Sequence, residues 1–309
     1  MKVKDDLGRT LELPERPLRV VSLVPSVTET LAAFGPGERL VGVTDWCTDP
    51  PEVVARLSRV GHVVAPDVAR VAALKPDLVL ANAEENREHA VRKLEAAGLP
   101  VHVSFPRTVE QAIESMETLA RLTATEQGAS PFIADARAAL EEARRIAAGH
   151  PPVPYFCAIW KDPWMTANDD TYLADLLNTC GGRNVFGAQE RRYPRTTIEE
   201  AARRAPTLAL LPSEPYPFVE SDREEVERAA LAPEVLLVDG RLLAWHGVRT
   251  AAALAALSRL FAGDRQAAAR RSISESAPAS SESAPASSES APASRGTSGR
   301  GTSGRETSG

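Results

Sequence analysis

The chain has 309 residues, of which 43% are hydrophobic and 25% are charged, and its net charge is -6. This length permits two hydrophobic cores, whereas the acidic balance, without a run of Lys and Arg, argues against a nucleic-acid surface or a polybasic membrane anchor. No apolar run is long enough to span a bilayer, and the start, MKVKDDLGRTLELPERP, lacks the apolar segment of a secretory signal. The sequence as it stands predicts a cytoplasmic protein, and a true start further upstream would predict a periplasmic or extracellular one.

The first predicted elements are a polar hairpin over 3–16 and a short strand over 18–24. The segment PSVTE, residues 25–29, follows the strand directly and has the composition of a helix start. Ser26 is the predicted N-cap, and Glu29, three residues later, completes a capping box. The sequence therefore predicts a helix whose free N–H groups lie at the carboxyl end of the strand.

The rest of the first half alternates between β-branched runs and amphipathic runs. Strands are predicted at 40–44, 77–82 and 101–105, and helices at 67–74, 86–97 and 108–122. This alternation is typical of a parallel sheet with crossover helices.

One long helix is predicted over 130–149, SPFIADARAALEEARRIAAG. Ser130 can cap its first turn, Pro131 suits the first helical position, and Gly149 stops it. Apolar residues gather on one face, and the helix would span about 30 Å, the width of a small domain. On this pattern alone it is an ordinary amphipathic helix, but the repeat described next favours a rigid bridge between two lobes.

The second half repeats the order of the first, with strands predicted at 153–159, 207–211 and 236–238 and helices at 170–178, 197–205 and 250–261. DVARVAALKPDLVLA, from Asp67, aligns with TIEEAARRAPTLALL, from Thr197, and Pro76 then lies opposite Pro206. The predicted fold class is therefore α/β, with two Rossmann-like lobes that have central parallel sheets, at 1–129 and 150–266, bridged by the long helix 130–149.

The C-terminal tail, residues 267–309, contains SESAPAS three times and then repeats of the RGTSG type. Because it has almost no large apolar side chains, it cannot bury enough surface to offset the entropy of ordering, and it is predicted to be disordered. A tether or partner-binding arm is the alternative interpretation.

The tryptophans give the main indication of function. Ligands of open α/β sheets bind at the carboxyl ends of the strands, and indole faces suit a large, flat, partly apolar ligand. The alternative is that each Trp packs within its own lobe. All four lie in loops that follow predicted strands or the last strand region, and charged residues surround them: Trp46, Trp160, Trp164 and Trp245, with Asp45, Asp49, Lys161, Asp162, His246 and Arg249.

Several reactive groups have both a functional and a structural interpretation. His246 could bind a metal centre, but a lone His is more often a hydrogen-bonded residue. Cys47 could be a low-pKa nucleophile, but without an identifiable His partner it is better explained as a small buried thiol. Glu84 and Glu85 could be an acid/base pair, but adjacent carboxylates in a loop are usually solvated.

The motif search predicts a protein that is not an enzyme. GxGxxG, GxxxxGK[ST] and GxSxG are absent, and the other histidines have no HxH or HExxH spacing. The odd number of cysteines is a poor disulfide framework, so Cys157 and Cys180 are also predicted to be buried thiols. Neither a protein-held metal site nor a catalytic cofactor is predicted.

The segments RVVSLVPSVTETLAAFG, LVGVTDWCTDPP, VAALKPDLVLAN, TYLADLLNTCGGRNVF and LLPSEPYPF resemble the class III substrate-binding proteins of ABC importers, the helical-backbone metal-receptor family. The resemblance covers roughly residues 6 to 262 and is closest to the vitamin B12-binding branch. It implies two lobes bridged by one helix, with cobalamin or another corrinoid, haem or a ferric siderophore held in the cleft. It also implies binding without chemistry by a monomer that docks on an ABC permease.

The resemblance also implies where the ligand lies. Pro25 and Ser26 match the cleft floor, and the tryptophans match ligand-contacting loops. With the polar residues beside them, the predicted ligand-binding set is Pro25, Ser26, Trp46, Cys47, Asp49, Trp160, Trp164, Trp245, His246 and Arg249.

Docking on a permease is implied for only one lobe. In the B12-binding branch each lobe carries a glutamate that pairs with permease arginines. The C-lobe position matches Glu199, but the N-lobe position falls on Ala69. Asp67 and Glu214 are further acids that could substitute, although neither lies at the matched position.

Three other functions remain open at this level. The protein could be an intracellular corrinoid carrier, or a tetrapyrrole chelatase-like enzyme on a similar bilobal fold with His246 as its basic group. A role in protein interaction dominated by residues 267–309 is the third.

Overall fold

The computed structural model describes residues 1–35 and 39–264, and the predicted tail, 267–309, lies outside this range. No helix in the described part of the chain is long and apolar enough to cross a bilayer. The first half contains β1 (Lys2–Lys4), β2 (Thr10–Glu12), β3 (Val20–Ser22), α1 (Pro25–Phe34), β4 (Leu40–Val43), α2 (Pro51–Val54), β5 (Ser58–Arg59), β6 (Gly61–His62), β7 (Ala65–Pro66), α3 (Val68–Ala73), β8 (Leu78–Asn82), α4 (Glu88–Ala96), β9 (Val101–Ser104) and α5 (Val109–Thr123).

The second half begins with the longest helix. Its elements are α6 (Glu126–Ala147), β10 (Val153–Trp160), β11 (Met165–Thr166), α7 (Tyr172–Thr179), β12 (Gly182–Asn184), α8 (Ile198–Arg203), β13 (Leu208–Pro212), α9 (Glu220–Arg228), β14 (Glu234–Val238), α10 (Gly240–Ala244) and α11 (Thr250–Phe261). The predicted strands lie within two residues of β3, β4, β8, β9, β10, β13 and β14, and α9 is the longest element that the pattern analysis missed.

Each half forms its own parallel sheet. In the N-lobe the strand order is β5-β4-β3-β8-β9, with every neighbouring pair parallel, and β1 and β2 form the predicted antiparallel hairpin. In the C-lobe β12, β10, β13 and β14 are parallel neighbours in that order, and β11 folds back antiparallel on β10. The predicted α/β class with two parallel sheets is confirmed.

The internal repeat is visible in both topology and backbone. The order β4-β3-β8-β9 corresponds to β12-β10-β13-β14, and α3 and α8 occupy the same place before the third strand of each set. Lys75 and Ala205, each directly before the aligned proline, share a left-handed φ of 48° and 51°. The chain therefore contains two copies of one βαβ plan.

Helix α6 connects the two cores, as the bridge prediction requires. Ala129 packs with the N-lobe core around Phe34 and Met116, whereas Ala136, Leu140 and Ala143 pack with the C-lobe core. The first turn of α5 also enters the C-lobe core, and α11 lies along α6. The bridge therefore consists of one long helix reinforced by two others.

The predicted start of the bridge is wrong by four residues. Helix α6 begins at Glu126, after Thr125, and Pro131 lies inside it rather than at its first position. The earlier turn forms because it packs on α1: a Cβ at Gly128 would lie 1.6 Å from the carbonyl oxygen of Phe34. This tertiary contact stabilises a turn that lacks the Pro131 hydrogen bond, which local sequence preference would not favour.

The predicted capping box of α1 is also wrong. Val24 is the N-cap residue, no side chain caps the helix, and Pro25 takes the first helical position. Glu29 cannot close a capping box because its carboxylate is bound to Arg249 of the C-lobe. Ser26 is thereby left in the first turn with a free hydroxyl.

Candidate functional site

The candidate site is a cleft between the carboxyl-terminal edges of the two sheets. Its N-lobe wall consists of the loops after β3, β4 and β8, and its C-lobe wall of the loops after β10, β13 and β14. The two walls touch at several points: Asp49 pairs with Arg241 at 3.3 Å, and Asn82 Nδ2 lies 3.4 Å from His246 Nε2. Loops from both copies of the repeat therefore meet at one site.

Trp46 is the main apolar group on the N-lobe wall. Its side chain is 57% exposed, and its ring lies edge-on to His62 with centroids 5.4 Å apart. The loop that carries it is fixed from behind, because Arg59 Nη1 donates to the carbonyl oxygens of Thr44 and Cys47 at 2.9 and 2.7 Å. An exposed indole on a held loop is a preformed contact surface.

Cys47 belongs to the core of this loop and does not reach the cleft surface. It is fully buried, and its sulfur lies 3.2 Å from the hydroxyl oxygens of both Thr28 and Thr44. Burial raises the pKa of the thiol, so the group is neutral and unreactive at pH 7. All three cysteines are free and buried, as predicted.

A row of aromatic rings forms the C-lobe wall. Trp160 lies edge-on to Tyr216 at 5.6 Å, Tyr216 contacts Phe218 at 4.6 Å, and Phe218 is stacked on Trp164 at 5.6 Å. Trp164 packs in a hydrophobic cluster with buried Phe218. Two rings of this row are half-buried: Trp160, the last residue of β10, and Tyr216, in the loop after β13. Sequence reasoning missed Tyr216, although it follows a predicted strand as the tryptophans do.

Trp245 is more enclosed than the open-cleft prediction suggests. It is only 9% exposed, because the guanidinium groups of Arg241 and Arg249 lie over its ring at 4.9 and 5.2 Å. Its indole also hydrogen-bonds the carboxylate of Glu214, a group whose pKa burial raises. Trp245 therefore contacts three parts of the C-lobe wall: the loop after β13, helix α10 and the residue before α11.

Arg249 is committed to contact between the lobes. Its Nε and Nη2 each lie 2.7 Å from a carboxylate oxygen of Glu29 on α1. Beside this pair, Val248 donates its N–H to the Thr30 hydroxyl at 3.2 Å. Gly247, with φ of 117°, approaches so closely that a Cβ would lie 2.1 Å from Thr30 Oγ1. This is the tightest junction of the cleft floor.

His246 is neutral and hydrogen-bonded, as the structural interpretation predicts. Burial lowers the pKa of its imidazole to about 4. Its Nε2 is near the amide of Asn82, and its ring lies edge-on to Tyr172 at 5.7 Å. No group of three or more His, Cys, Asp or Glu side chains suitable for a metal occurs within residues 1–35 and 39–264.

A polar clasp, formed by Glu84 of the N-lobe with Arg192 and Tyr193 of the C-lobe, links the two lobes. The Tyr193 hydroxyl donates to one carboxylate oxygen of Glu84 at 2.5 Å, and Arg192 pairs with the other at 2.5 Å. The Arg192 guanidinium also lies 4.8 Å from the ring centre of Phe105 in the N-lobe. No sequence motif predicted this contact, because Glu84 and its partners are close in space but at least 108 positions apart in the sequence.

The two adjacent glutamates are not the solvated pair that the sequence suggested. Glu84 is engaged in the clasp, and Glu85 is half-buried. Burial is the main cause that raises the pKa of Glu85 to about 8, and the charges of Glu214 and Glu84 add to it. The expectation was wrong because it took account of the loop alone, without the opposing lobe.

The two aligned helix starts that were considered for docking differ in charge. Glu199 is exposed in the first turn of α8, whereas Ala69 takes the corresponding place in α3. Asp67 caps α3 by accepting the N–H groups of Ala69 and Arg70 at 3.0 and 3.1 Å, and it pairs with the Arg70 side chain at 3.2 Å. Its carboxylate is therefore already occupied.

Taken together, two like-built lobes, a reinforced helical bridge and a cleft lined by aromatic groups define a bilobal ligand-binding protein. The chain belongs to the periplasmic binding protein family, whose family model matches residues 20–224. This confirms the family that the sequence resemblance indicated.

Individual relatives agree with this assignment. The vitamin B12-binding protein of Vibrio cholerae serotype O1 is 28% identical over 190 residues, which are 62% of this chain and 68% of that protein. The crystal structure of the periplasmic vitamin B12-binding protein of Vibrio cholerae superimposes with a TM-score of 0.70 and 24% identity, covering 81% of this chain and 98% of that one. A periplasmic heme-binding protein from Pseudomonas aeruginosa gives a TM-score of 0.68 at 25% identity, covering 79% and 92%.

Proposed function

We propose that this protein is the substrate-binding component of an ABC-type importer for a metal chelate, with cobalamin or a related corrinoid as its ligand. The observation that carries the proposal is that solvent-accessible aromatic rings lie at the strand ends of both lobes, Trp46 in the N-lobe and Trp160 with Tyr216 in the C-lobe. Large flat rings can stack between such surfaces, and each indole keeps one N–H for a polar group.

The names of the relatives support a chelate rather than another flat ligand. The relative from Vibrio cholerae named above is a vitamin B12-binding protein, and the structural neighbour from Pseudomonas aeruginosa is a periplasmic heme-binding protein. Haem is therefore the second ligand to test, and a ferric siderophore the third. We propose binding without catalysis, and the guanidinium groups of Arg192, Arg241 and Arg249 serve to hold loops and lobes together.

Delivery to a permease is part of the proposal. Glu199, exposed in the first turn of α8, offers a carboxylate to an arginine of the permease, whereas the corresponding N-lobe position offers only Ala69. We therefore assign docking mainly to the C-lobe, with a monomer acting outside the cytoplasmic membrane.

The proposal is tested by titrating the purified full-length chain with cyanocobalamin, haemin and a ferric siderophore, following tryptophan fluorescence and chelate absorbance. Saturable binding of cyanocobalamin at micromolar concentration or below, about -8 kcal/mol or stronger, is the expected result. If only haemin or only the siderophore bound saturably, the proposed importer function would stand, but the proposed corrinoid ligand would be wrong. Failure of all of them to bind would refute the proposal.

A further inference from the structure

Two glutamates stand on opposite walls of the cleft. Asn82, at the end of β8, contacts His246, and Glu85 follows Asn82 by three residues. On the other wall Glu214 accepts a hydrogen bond from Trp245, the neighbour of His246. This chain of contacts places the carboxyl groups of Glu85 and Glu214 in the same part of the cleft, one from each lobe.

The cations around this pair are already neutralised by the protein itself. The guanidinium groups that bridge the lobes each have a carboxylate partner: Arg192 pairs with Glu84 at 2.5 Å, Arg241 with Asp49 at 3.3 Å, and Arg249 with Glu29 at 2.7 Å. Beside the aromatic row, Lys161 Nζ lies between Asp222 and Glu225 at 2.6 and 2.7 Å. Arg241 and Arg249 also lie near Glu214 and, against the larger effect of burial, lower its pKa, but each of them already has another carboxylate partner. The carboxylate of Glu214 therefore exceeds the positive charge that the lobes bring together here, and within the described residues no further cation accompanies Glu85.

We propose that Glu85 and Glu214 make the cleft selective for charge, so that it admits a chelate with neutral amide side chains and rejects one with carboxylate side chains. This inference rests on the proposed function and narrows its ligand class. A ligand carboxylate placed here would lose its hydration, meet the carboxylate of Glu214, and find the bridging guanidinium groups already paired. The N–H of a ligand amide would instead donate to the carboxylate of Glu214, and the carbonyl oxygen of the amide would accept a hydrogen bond from the protonated carboxyl of Glu85.

The protonation of Glu85 fits this assignment. Its pKa, raised to about 8, leaves a proton on the carboxyl group at neutral pH, and a protonated carboxyl can donate a hydrogen bond. The groups that face it are Glu84 of its own loop, Glu214 of the opposite lobe and, more distantly, the thiol of Cys47.

The Ser26 hydroxyl is a second polar group at the cleft floor that could bind the ligand. Ser26 is 1% exposed, and its hydroxyl finds no hydrogen-bond partner in the part of the chain that the structure describes. It lies in the first turn of α1, between the loops after β4 and β8, because β3 is the central neighbour of both strands. A hydroxyl can donate to a carbonyl and accept from an amide N–H, so it suits the same uncharged side chains.

The test compares two corrin rings that differ only in their side chains. The cyano-cobalt corrin bearing seven amides and the one bearing seven carboxylates are titrated at pH 7 against the full-length protein, against the double variant Glu85→Gln with Glu214→Gln, and against Glu114→Gln. Glu114 is exposed on α5 and lies outside the cleft, so its variant measures general repulsion by the acidic chain. Haemin and its dimethyl ester form a second matched pair.

The unaltered protein is expected to bind the amide ring at least about tenfold more tightly than the carboxylate ring. The double variant should reduce this ratio to about threefold or less, and Glu114→Gln should leave it unchanged. Equal binding of the two rings, or the same ratio in all three proteins, would overturn the inference while leaving the proposed chelate binding intact. Failure of every chelate to bind would refute both.

Discussion

Arg249 of the C-lobe binds both carboxylate oxygens of Glu29 in the N-lobe, at 2.7 Å each, and these residues are 220 positions apart in the sequence. The side chains are 27% and 18% exposed, so the pair is better shielded from solvent than an ordinary surface ion pair. The lobes are therefore held at the cleft floor by a specific contact in addition to the helical bridge.

The first prediction concerns this pair. Glu29→Gln and Arg249→Lys should each reduce the free energy of unfolding, and a double-mutant cycle should give a coupling of about 1–2 kcal/mol, since the bidentate geometry is lost in either variant. Urea unfolding of the four proteins measures it. The exposed Arg145–Glu142 pair on α6 is the matched control and should show no measurable coupling. Equal coupling in both pairs would contradict the special role of the floor contact.

The second prediction concerns the two aromatic walls. Trp46→Ala and Trp160→Ala should each weaken cyanocobalamin binding by about tenfold or more, because each removes one stacking surface. Trp46 is 57% exposed, so its variant should unfold at nearly the same urea concentration as the unaltered protein. Leu18→Ala, at a residue 62% exposed and outside the cleft loops, is the control and should bind normally. Unchanged affinity in both Trp variants would show that the ligand lies elsewhere.

The third prediction is a pH dependence of stability due to Glu85. Its folded-state pKa of about 8 lies above the ordinary value of 4.5, so the folded protein retains a proton that the unfolded chain releases. Stability contributed by this group is complete below pH 4.5 and is lost as the pH rises towards 8.

The variant Glu85→Gln cannot lose that proton, and it should therefore be more stable than the unaltered protein at pH 8.5 by about 1–2 kcal/mol, a range reduced for the solvent that reaches this half-buried group. At pH 4.5 the two proteins should differ little. Urea unfolding at both pH values measures the difference, with Glu114→Gln as the control for an exposed glutamate. An equal effect of Glu85→Gln at both pH values would refute the assigned titration.

The fourth prediction concerns the clasp. Tyr193→Phe removes one hydrogen bond to Glu84 but keeps the ring, so it should loosen this contact between the lobes without disturbing the fold. The dissociation rate of the bound chelate should rise about threefold to tenfold, with a smaller change in the association rate. Stopped-flow displacement measures both rates. Tyr155→Phe, in the C-lobe core, is the control that tests for a general effect of removing a tyrosine hydroxyl group.

The location of the candidate site could be predicted from local sequence. Trp46 follows β4 and Trp160 ends β10, as the strand pattern predicted, because the carboxyl end of a strand has the same location in any open α/β sheet. Their contact with a ligand stays a prediction. The bridge and the repeat were also visible, since apolar spacing and the aligned prolines depend on residues close in sequence.

The contacts between the lobes could not be predicted in this way. Glu29 looked like a capping residue and Glu85 like a solvated one, because the groups that bind or desolvate them lie in the other half of the chain. Tyr193 and Arg192 carry no motif at all. The charges of the cleft, unlike its position, are set by the way in which the lobes meet.

The last prediction concerns the contact between α6 and α1. Replacing a helical Gly by Ala normally stabilises a protein by about 1 kcal/mol, because Ala has the higher helix propensity. At Gly128 the sign should be reversed, since the added Cβ would lie 1.6 Å from the carbonyl oxygen of Phe34 and 2.7 Å from its carbon. Backbone atoms cannot move aside as a side chain can, so α6 must shift, and Gly128→Ala should cost about 3 kcal/mol or more.

Ser130→Ala, at an exposed position of the same helix, is the control and should be neutral or slightly stabilising. Urea unfolding of both variants decides the matter, and a Gly128→Ala protein as stable as Ser130→Ala would mean that α6 does not pack on α1 as described.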